Sequence, residues 1–238
     1  MKKRNQIILL ASCWIGAVAC RELFIPTLCR DIQNCLGPES FQQVDNLLPS
    51  PTSGIIKKYD QLSDIGQYLA GIVVFLAAIQ LGWSDSSFKK KMRTTALWLF
   101  QAAATNGILL EIVRVWVRRP RPYIEEKLLN SGSQSLHLEA SQFTSFYSGH
   151  TSFAFVAFWV LFRTLRTSPN QNSPTTGNQA LHFYLWLSIG ALVATGTAAL
   201  RVLAGRHHLT DVLFGALLGL LSAIASDRLF KENGRETE

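Results

Sequence analysis

His182-Phe-Tyr-Leu-Trp-Leu-Ser-Ile-Gly-Ala-Leu-Val-Ala-Thr-Gly-Thr-Ala-Ala-Leu200 contains no Asp, Glu, Lys or Arg. A helix of this length rises about 28 Å, close to the hydrocarbon thickness of a bilayer. Two other windows are equally free of charge, Ile65 to Trp83 and Thr94 to Leu110. Two more are interrupted once, near one end: Ser148 to Phe162 by His150, and Leu209 to Ala225 by Asp211. A core helix of a soluble protein accounts for one such window. Five in a chain of 238 residues point to a membrane. Charged residues make up only 16% of the chain, against roughly a quarter in soluble domains.

The amino terminus adds a further apolar run. Met1-Lys2-Lys3-Arg4 precedes Ile7 to Cys20, which reads either as a signal peptide or as an uncleaved first span. Hydrophobicity resumes at Leu23, Phe24 and Ile25, which favours the uncleaved helix. The expected fold is therefore all-α: one membrane domain over 1–238, a six-span transmembrane helical bundle. The spans fall at about 6–25, 63–83, 94–117, 148–166, 182–204 and 209–226. An outer segment covers 26–62, and 227–238 is expected to be a mobile cytoplasmic tail. In the outer segment, Phe41, Val44, Leu47 and Leu48 fit one face of a short interfacial helix. No internal repeat or second domain is visible.

The net charge of +7 is organised by this topology. Lys2, Lys3, Arg4, Lys89, Lys90, Lys91, Arg93, Arg163, Arg166, Arg228, Lys231 and Arg235 all fall on one side of six spans. The positive-inside rule makes that side the cytoplasm and puts both termini there. A nucleic-acid partner would want a basic stripe on a soluble face, and none is present. Arg118, Arg119, Arg121 and Arg206 fall on the outer side, against the trend, and a phosphate site supplies a reason. Cys29 and Cys35, six apart in the outer segment, either bridge or remain free thiols. No Cys/His grouping has zinc-ligand spacing.

Three clusters of polar residues stand at span ends on that outer side. In Arg114-Val-Trp-Val-Arg118-Arg119-Pro120-Arg121-Pro122, the prolines disfavour helix before them. The third span should stop near Arg118, with Arg114 on its last turns and Arg121 on an extended loop. Guanidinium groups offer paired donors that match phosphate, although snorkelling arginines would look the same. In Ser148-Gly149-His150, a helix start, a glycine and a hydroxyl suit a phosphate, and His150 suits proton transfer. The plainer reading is a capping serine and an interfacial histidine. In Arg201-Val-Leu-Ala-Gly-Arg206-His207-His208-Leu-Thr-Asp211, His207 and Asp211 share one face if both are helical. Asp211 would then orient His207, and a neutral oriented imidazole is a competent nucleophile. His208 reads as structural. Glu111, three before Arg114, is placed to pair with it.

Order and spacing across Arg114-x6-Arg121-Pro122, Ser148-Gly149-His150 and Arg201-x5-His207-x3-Asp211 resemble the three-part signature of the type 2 phosphatidic acid phosphatase superfamily. The resemblance covers roughly 94–226. It implies a six-helix membrane enzyme with its site at the outer, periplasmic face. It also implies hydrolysis of a lipid phosphate or diphosphate ester without metal or cofactor, through a phosphohistidine. By motif, His207 would be the nucleophile, Asp211 its orienting partner and His150 the general acid. Arg114, Arg121, Ser148, Gly149 and Arg201 would bind the phosphate. Arg118, Arg119 and Arg206 are left to meet a headgroup or a second phosphate. Three positions depart from the pattern: Arg114 replaces a lysine, Tyr147 a proline and Leu200 a serine. They point to an unusual substrate or lowered activity, and a silent phospholipid-binding protein of the same fold is the alternative. The short basic start suggests a bacterial inner membrane. The partners expected are the bilayer and a lipid phosphate: lipid A, a polyprenyl diphosphate, phosphatidylglycerol phosphate or phosphatidic acid.

Overall fold

The computed structural model describes residues 3–28, 42–47, 55–82, 88–124, 139–167 and 177–235. Cys29 and Cys35 lie outside these residues, as do Phe41 and Leu48. Six long helices account for most of the described chain: α1 Lys3–Leu28, α2 Lys57–Gly82, α3 Phe88–Val117, α4 Gly149–Arg166, α5 Gly177–Leu203 and α6 Leu209–Arg235. A helical turn at Gln42–Asp45 and a 3-10 turn at Ala140–Phe143 complete it, and no strand occurs among the described residues. The all-α expectation holds. α3 stops at Val117, and Arg118 turns the chain with φ 47°; Pro120 and Pro122 keep the residues before them from continuing the helix. α6 runs as helix to Arg235, through the stretch read as a mobile tail.

Five of the six helices are long and apolar enough to cross a membrane. The exception is α4, the helix that packs against α2, α3, α5 and α6 and so lies at the centre of the bundle. A central helix needs no apolar face for lipid, and its buried face is partly built from Thr151, Ser152 and Thr164. Around it gather Val73, Val74 and Ala77 of α2, Ala102 of α3, Ala194 of α5 and Ala223 of α6. α1 lies at the periphery, packed on α3, with Ile15 and Leu23 on its open face. Such faces suit acyl chains, because lipid tails are as apolar as the side chains.

The α4–α6 crossing is set by small residues. A methyl group added at Gly215 would sit 2.9 Å from the Ser148 carbonyl oxygen. One added at Gly219 would collide with the backbone of Ser152. Gly215 and Gly219 are four apart, so a single groove on α6 receives the first turns of α4. Asn106 of α3, fully buried, closes the same region by donating to Ser152 Oγ at 3.0 Å and facing Ser222 Oγ at 3.4 Å. A polar side chain held in partners this way does not leave an uncompensated group in the apolar interior.

Candidate active site

Antiparallel alternation brings the starts of α2, α4 and α6 to the same end of the bundle as the ends of α3 and α5. Every polar cluster singled out in the sequence lies there. α4 opens at Ser148, whose hydroxyl accepts the Thr151 backbone N–H at 3.5 Å and the Thr151 hydroxyl at 3.0 Å. The backbone N–H of Ser148 donates to the Asp211 carbonyl at 3.0 Å, which ties the start of α4 to the first turn of α6. At Gly149 an added Cβ would lie 3.1 Å from Arg114 Nη2 and 3.2 Å from Leu110 Cδ2. Glycine is what lets the guanidinium lie against the helix start. Arg114 is held by Glu111 at 3.2 Å, and Glu111 is shared with Arg21 of α1 at 2.9 Å.

α5 ends with Gly205 in the left-handed region, φ 71°. Arg206 N–H reaches back to the Arg201 carbonyl at 3.2 Å, and Gly205 N–H to Val202 at 2.9 Å, so the helix closes in a glycine C-cap. This turn aims Arg201 and Arg206 at one acid of α2. Asp60 accepts from Arg201 Nη1 at 2.9 Å, and from Arg206 Nε and Nη2 at 3.0 and 2.7 Å. Its hydrogen bonds raise Arg206 above the usual arginine value despite partial burial. Ser63 also accepts from Arg201 Nη1, at 3.0 Å. Among the described residues, Arg201 Nε and Arg114 Nε are buried and meet no hydrogen-bond acceptor.

His207 lies two residues before α6, not on it, and does not share a helical face with Asp211. The reason is that Asp211 terminates α6 from within: its carboxylate accepts the His208 backbone N–H at 2.9 Å, which fixes His207 and His208 as the entry to the helix. His207 Nδ1 meets the Ser145 carbonyl at 2.8 Å, while Asp211 Oδ2 stands 3.7 Å away. Asp211 acts on Ser145 as well, accepting its hydroxyl at 2.5 Å. A carbonyl only accepts, so Nδ1 carries the proton and Nε2 the lone pair. Burial holds His207 well below the usual histidine value. Asp211 pulls the other way, and Arg201 and Arg121 push it further down. The ring is neutral at ordinary pH.

The remaining arginines separate by role. Arg121 Nε donates to the Ser141 carbonyl at 2.8 Å and Nη2 to Thr144 Oγ1 at 3.3 Å, which seats it on the 139–145 loop. It is within electrostatic reach of Arg114, Arg201 and Arg206. Arg119 and Arg206, expected to meet a headgroup or second phosphate, are engaged by protein carboxylates. Arg119 Nη1 donates to Asp211 at 2.8 Å and to Thr210 Oγ1 at 2.6 Å, and Nη2 pairs with Asp45. Asp45 in turn accepts the Thr210 backbone N–H at 2.8 Å. Arg118 Nη1 caps the end of α3 at the Val115 carbonyl. His208 is structural, its N–H on Asp211 and its ring 3.4 Å from the Pro120 carbonyl. His150 Nε2 lies 2.8 Å from Asp64 Oδ1.

Asp45, Asp60, Ser63, Asp64 and Ser145 were not singled out in the sequence. The usable signal was Asp60 and Asp64, four apart at the start of a span that faces a surplus of outer arginines. The roles of Ser145 and Asp45 depend on contacts more than sixty residues away in the chain, which no local pattern displays.

A sequence model of the PAP2 superfamily matches residues 95–235, more than half of the chain. The chain belongs to the PAP2 superfamily. Among solved structures, the transmembrane PAP2-type phosphatidylglycerolphosphate phosphatase of Bacillus subtilis superposes with a TM-score of 0.53 at 18% identity, over 92% of this chain and 96% of that one. The two share a fold, and with the apolar helices this makes the chain a multi-pass membrane protein. Aquifex aeolicus LpxE aligns at 24% identity and TM-score 0.47, over 79% of this chain and 94% of that one. The PAP2 match begins within α3, at residue 95, so it includes His150, His207, Arg114, Arg118, Arg119, Arg121, Arg201 and Arg206 but not Arg21, Asp60 or Asp64.

Proposed function

We propose that the chain is a lipid phosphatase that hydrolyses a phosphate or diphosphate ester at one face of the membrane, through a phosphohistidine and without a metal. The observation that carries this is the neutral His207, its Nε2 lone pair fixed by the Ser145 carbonyl on Nδ1, within the field of the Arg201 and Arg121 guanidiniums. Arg114, Arg121 and Arg201 hold the phosphoryl oxygens, helped by the Ser148 hydroxyl and the Gly149 backbone at the start of α4. Donors fixed in advance stabilise the charge of the transferring group. His207 Nε2 attacks phosphorus and His150 protonates the leaving oxygen. His150 then takes a proton from the water that cleaves the P–N bond. Asp211 orients His207 through Ser145 as well as by its own charge.

The site faces the periplasm of a bacterial inner membrane, with both termini in the cytoplasm. The charge distribution supports this, since the lysine and arginine excess lies at the opposite end of the helices. At that end Arg163 pairs with Asp227 and lies 3.9 Å over the Trp98 ring. The lipids to try are lipid A, a polyprenyl diphosphate, phosphatidylglycerol phosphate and phosphatidic acid. The test is phosphate release by protein purified in detergent, with chelator present, comparing wild type with His207→Ala. The expected loss is about 10³-fold or more in kcat. Lipid binding without release by wild type would identify a silent relative, and a strict need for added divalent metal would remove the phosphohistidine.

A further inference from the structure

The two acids at the start of α2 serve different partners. Asp60 takes Arg201 and Arg206. Asp64, one helical turn on, lies 2.8 Å from His150 Nε2 and 3.5 Å from Arg201 Nη1. A half-exposed His–Asp contact adds little stability, so stability does not explain it. The nitrogen it engages is informative. A carboxylate only accepts, so Nε2 carries the proton, and Nδ1 is the ring nitrogen left to exchange a proton with an oxygen.

We propose that Asp64 is the positioning residue for His150, fixing its ring so that Nδ1 serves the leaving oxygen. This rests on the phosphatase reading above. In the first half-reaction His150 enters as the imidazolium, with Nε2–H on Asp64 and Nδ1–H toward the leaving oxygen; the P–O bond breaks as the bond from His207 Nε2 to phosphorus forms, and the Nδ1 proton passes to the leaving oxygen. In the second, water returns a proton to Nδ1 as its oxygen attacks phosphorus and the P–N bond breaks. Nε2–H stays on Asp64 throughout, and no proton is lost to it. The charges acting on His150 are Asp64 and Asp60 from α2, Arg201 from α5 and Arg121 from the loop after α3. Asp64 opposes part of the repulsion that the two arginines exert on a protonated ring. The site then contains two histidines, each oriented from one side: His207 by Ser145 and Asp211, His150 by Asp64.

A lipid alkoxide needs a proton to leave, whereas p-nitrophenolate does not. Phosphate release is therefore measured from phosphatidic acid in mixed micelles and from p-nitrophenyl phosphate, for wild type, Asp64→Ala, Asp64→Glu, His150→Ala and the double alanine variant. Asp64→Ala is expected to lower kcat on phosphatidic acid about 10–100-fold, and on p-nitrophenyl phosphate about fivefold less than that. KM should stay within about twofold, because Arg201 keeps Asp60 and Ser63. The double variant should match His150→Ala within about twofold, and Asp64→Glu should recover part of the rate. Equal losses on both substrates, or additive losses in the double variant, would overturn the role of Asp64. Where phosphatidic acid is not turned over, the same comparison is made on whichever of the other three lipids is; no release by wild type from any of the four lipids or from p-nitrophenyl phosphate would overturn the phosphatase reading instead, and this proposal with it.

Discussion

His207 is a buried imidazole whose neutral form the surroundings favour. In the unfolded chain it binds a proton once the pH falls below about 6.5, and in the folded chain it resists doing so. The unfolded state then holds the extra proton, so this group subtracts stability as the pH drops through that value and is silent above it. Thermal unfolding in detergent should show wild type losing more of its melting temperature between pH 7 and pH 5 than His207→Asn does. An equal loss in both would show that His207 titrates normally. Gly149 offers a second check. Gly149→Ala places a methyl 3.1 Å from Arg114 Nη2, so the guanidinium must shift while the helix start, φ-neutral for alanine, survives. Phosphate affinity should weaken, with KM rising about 3–10-fold and the melting temperature nearly unchanged, since a displaced charge-assisted donor is worth about 1 kcal/mol.

The α4–α6 crossing makes the position of Ser148, at the head of α4, depend on two glycines of α6. Gly219→Ala drives a methyl into the Ser152 backbone, and overpacking of this kind costs about 1–3 kcal/mol. It should lower the melting temperature and reduce phosphate release together, because Ser148 at the head of α4 is bonded to Asp211 at the head of α6. Gly196→Ala on α5 meets nothing within 4 Å and should leave both unchanged, which makes it the control. The glycine spacing on α6 was readable in the sequence as a small-xxx-small face. Which helix it received was not, because the pattern names a groove and not its occupant.

For the molecule as a whole, alternation of six helices puts both termini on the side opposite the site. A cytoplasm-specific reporter fused after the last helix should be active, and a periplasm-specific one silent; the reverse would invert the assignment of faces. Much of this organisation was legible beforehand. Charge-free windows located the apolar helices, and Pro120 and Pro122 located the end of α3. α4 was read as a span like the others, but it is the least lipid-like of the six because its neighbours surround it. In the site, the three arginines, Ser148, Gly149 and the two histidines come to one end of the bundle as the spacing suggested. The spacing of His207 and Asp211 would share a face only if both were helical; Asp211 caps α6 and leaves His207 before the helix, with its Nδ1 3.7 Å from Asp211 Oδ2. The acids of α2 went unread because their partners are far away in sequence, and only the packing of α2 against α4 and α5 brings them near.

The placement of Asp60 and Asp64 has a consequence for building hybrids. A segment spanning 95–235, transplanted onto the amino-terminal helices of another membrane protein, would carry His207, His150 and the arginines from Arg114 to Arg206. It would arrive without the two carboxylates that Arg201, Arg206 and His150 rely on. Such a chimera should regain function only when the host supplies acids four residues apart on the helix that replaces α2, so the exchangeable unit runs from residue 57 rather than from 95.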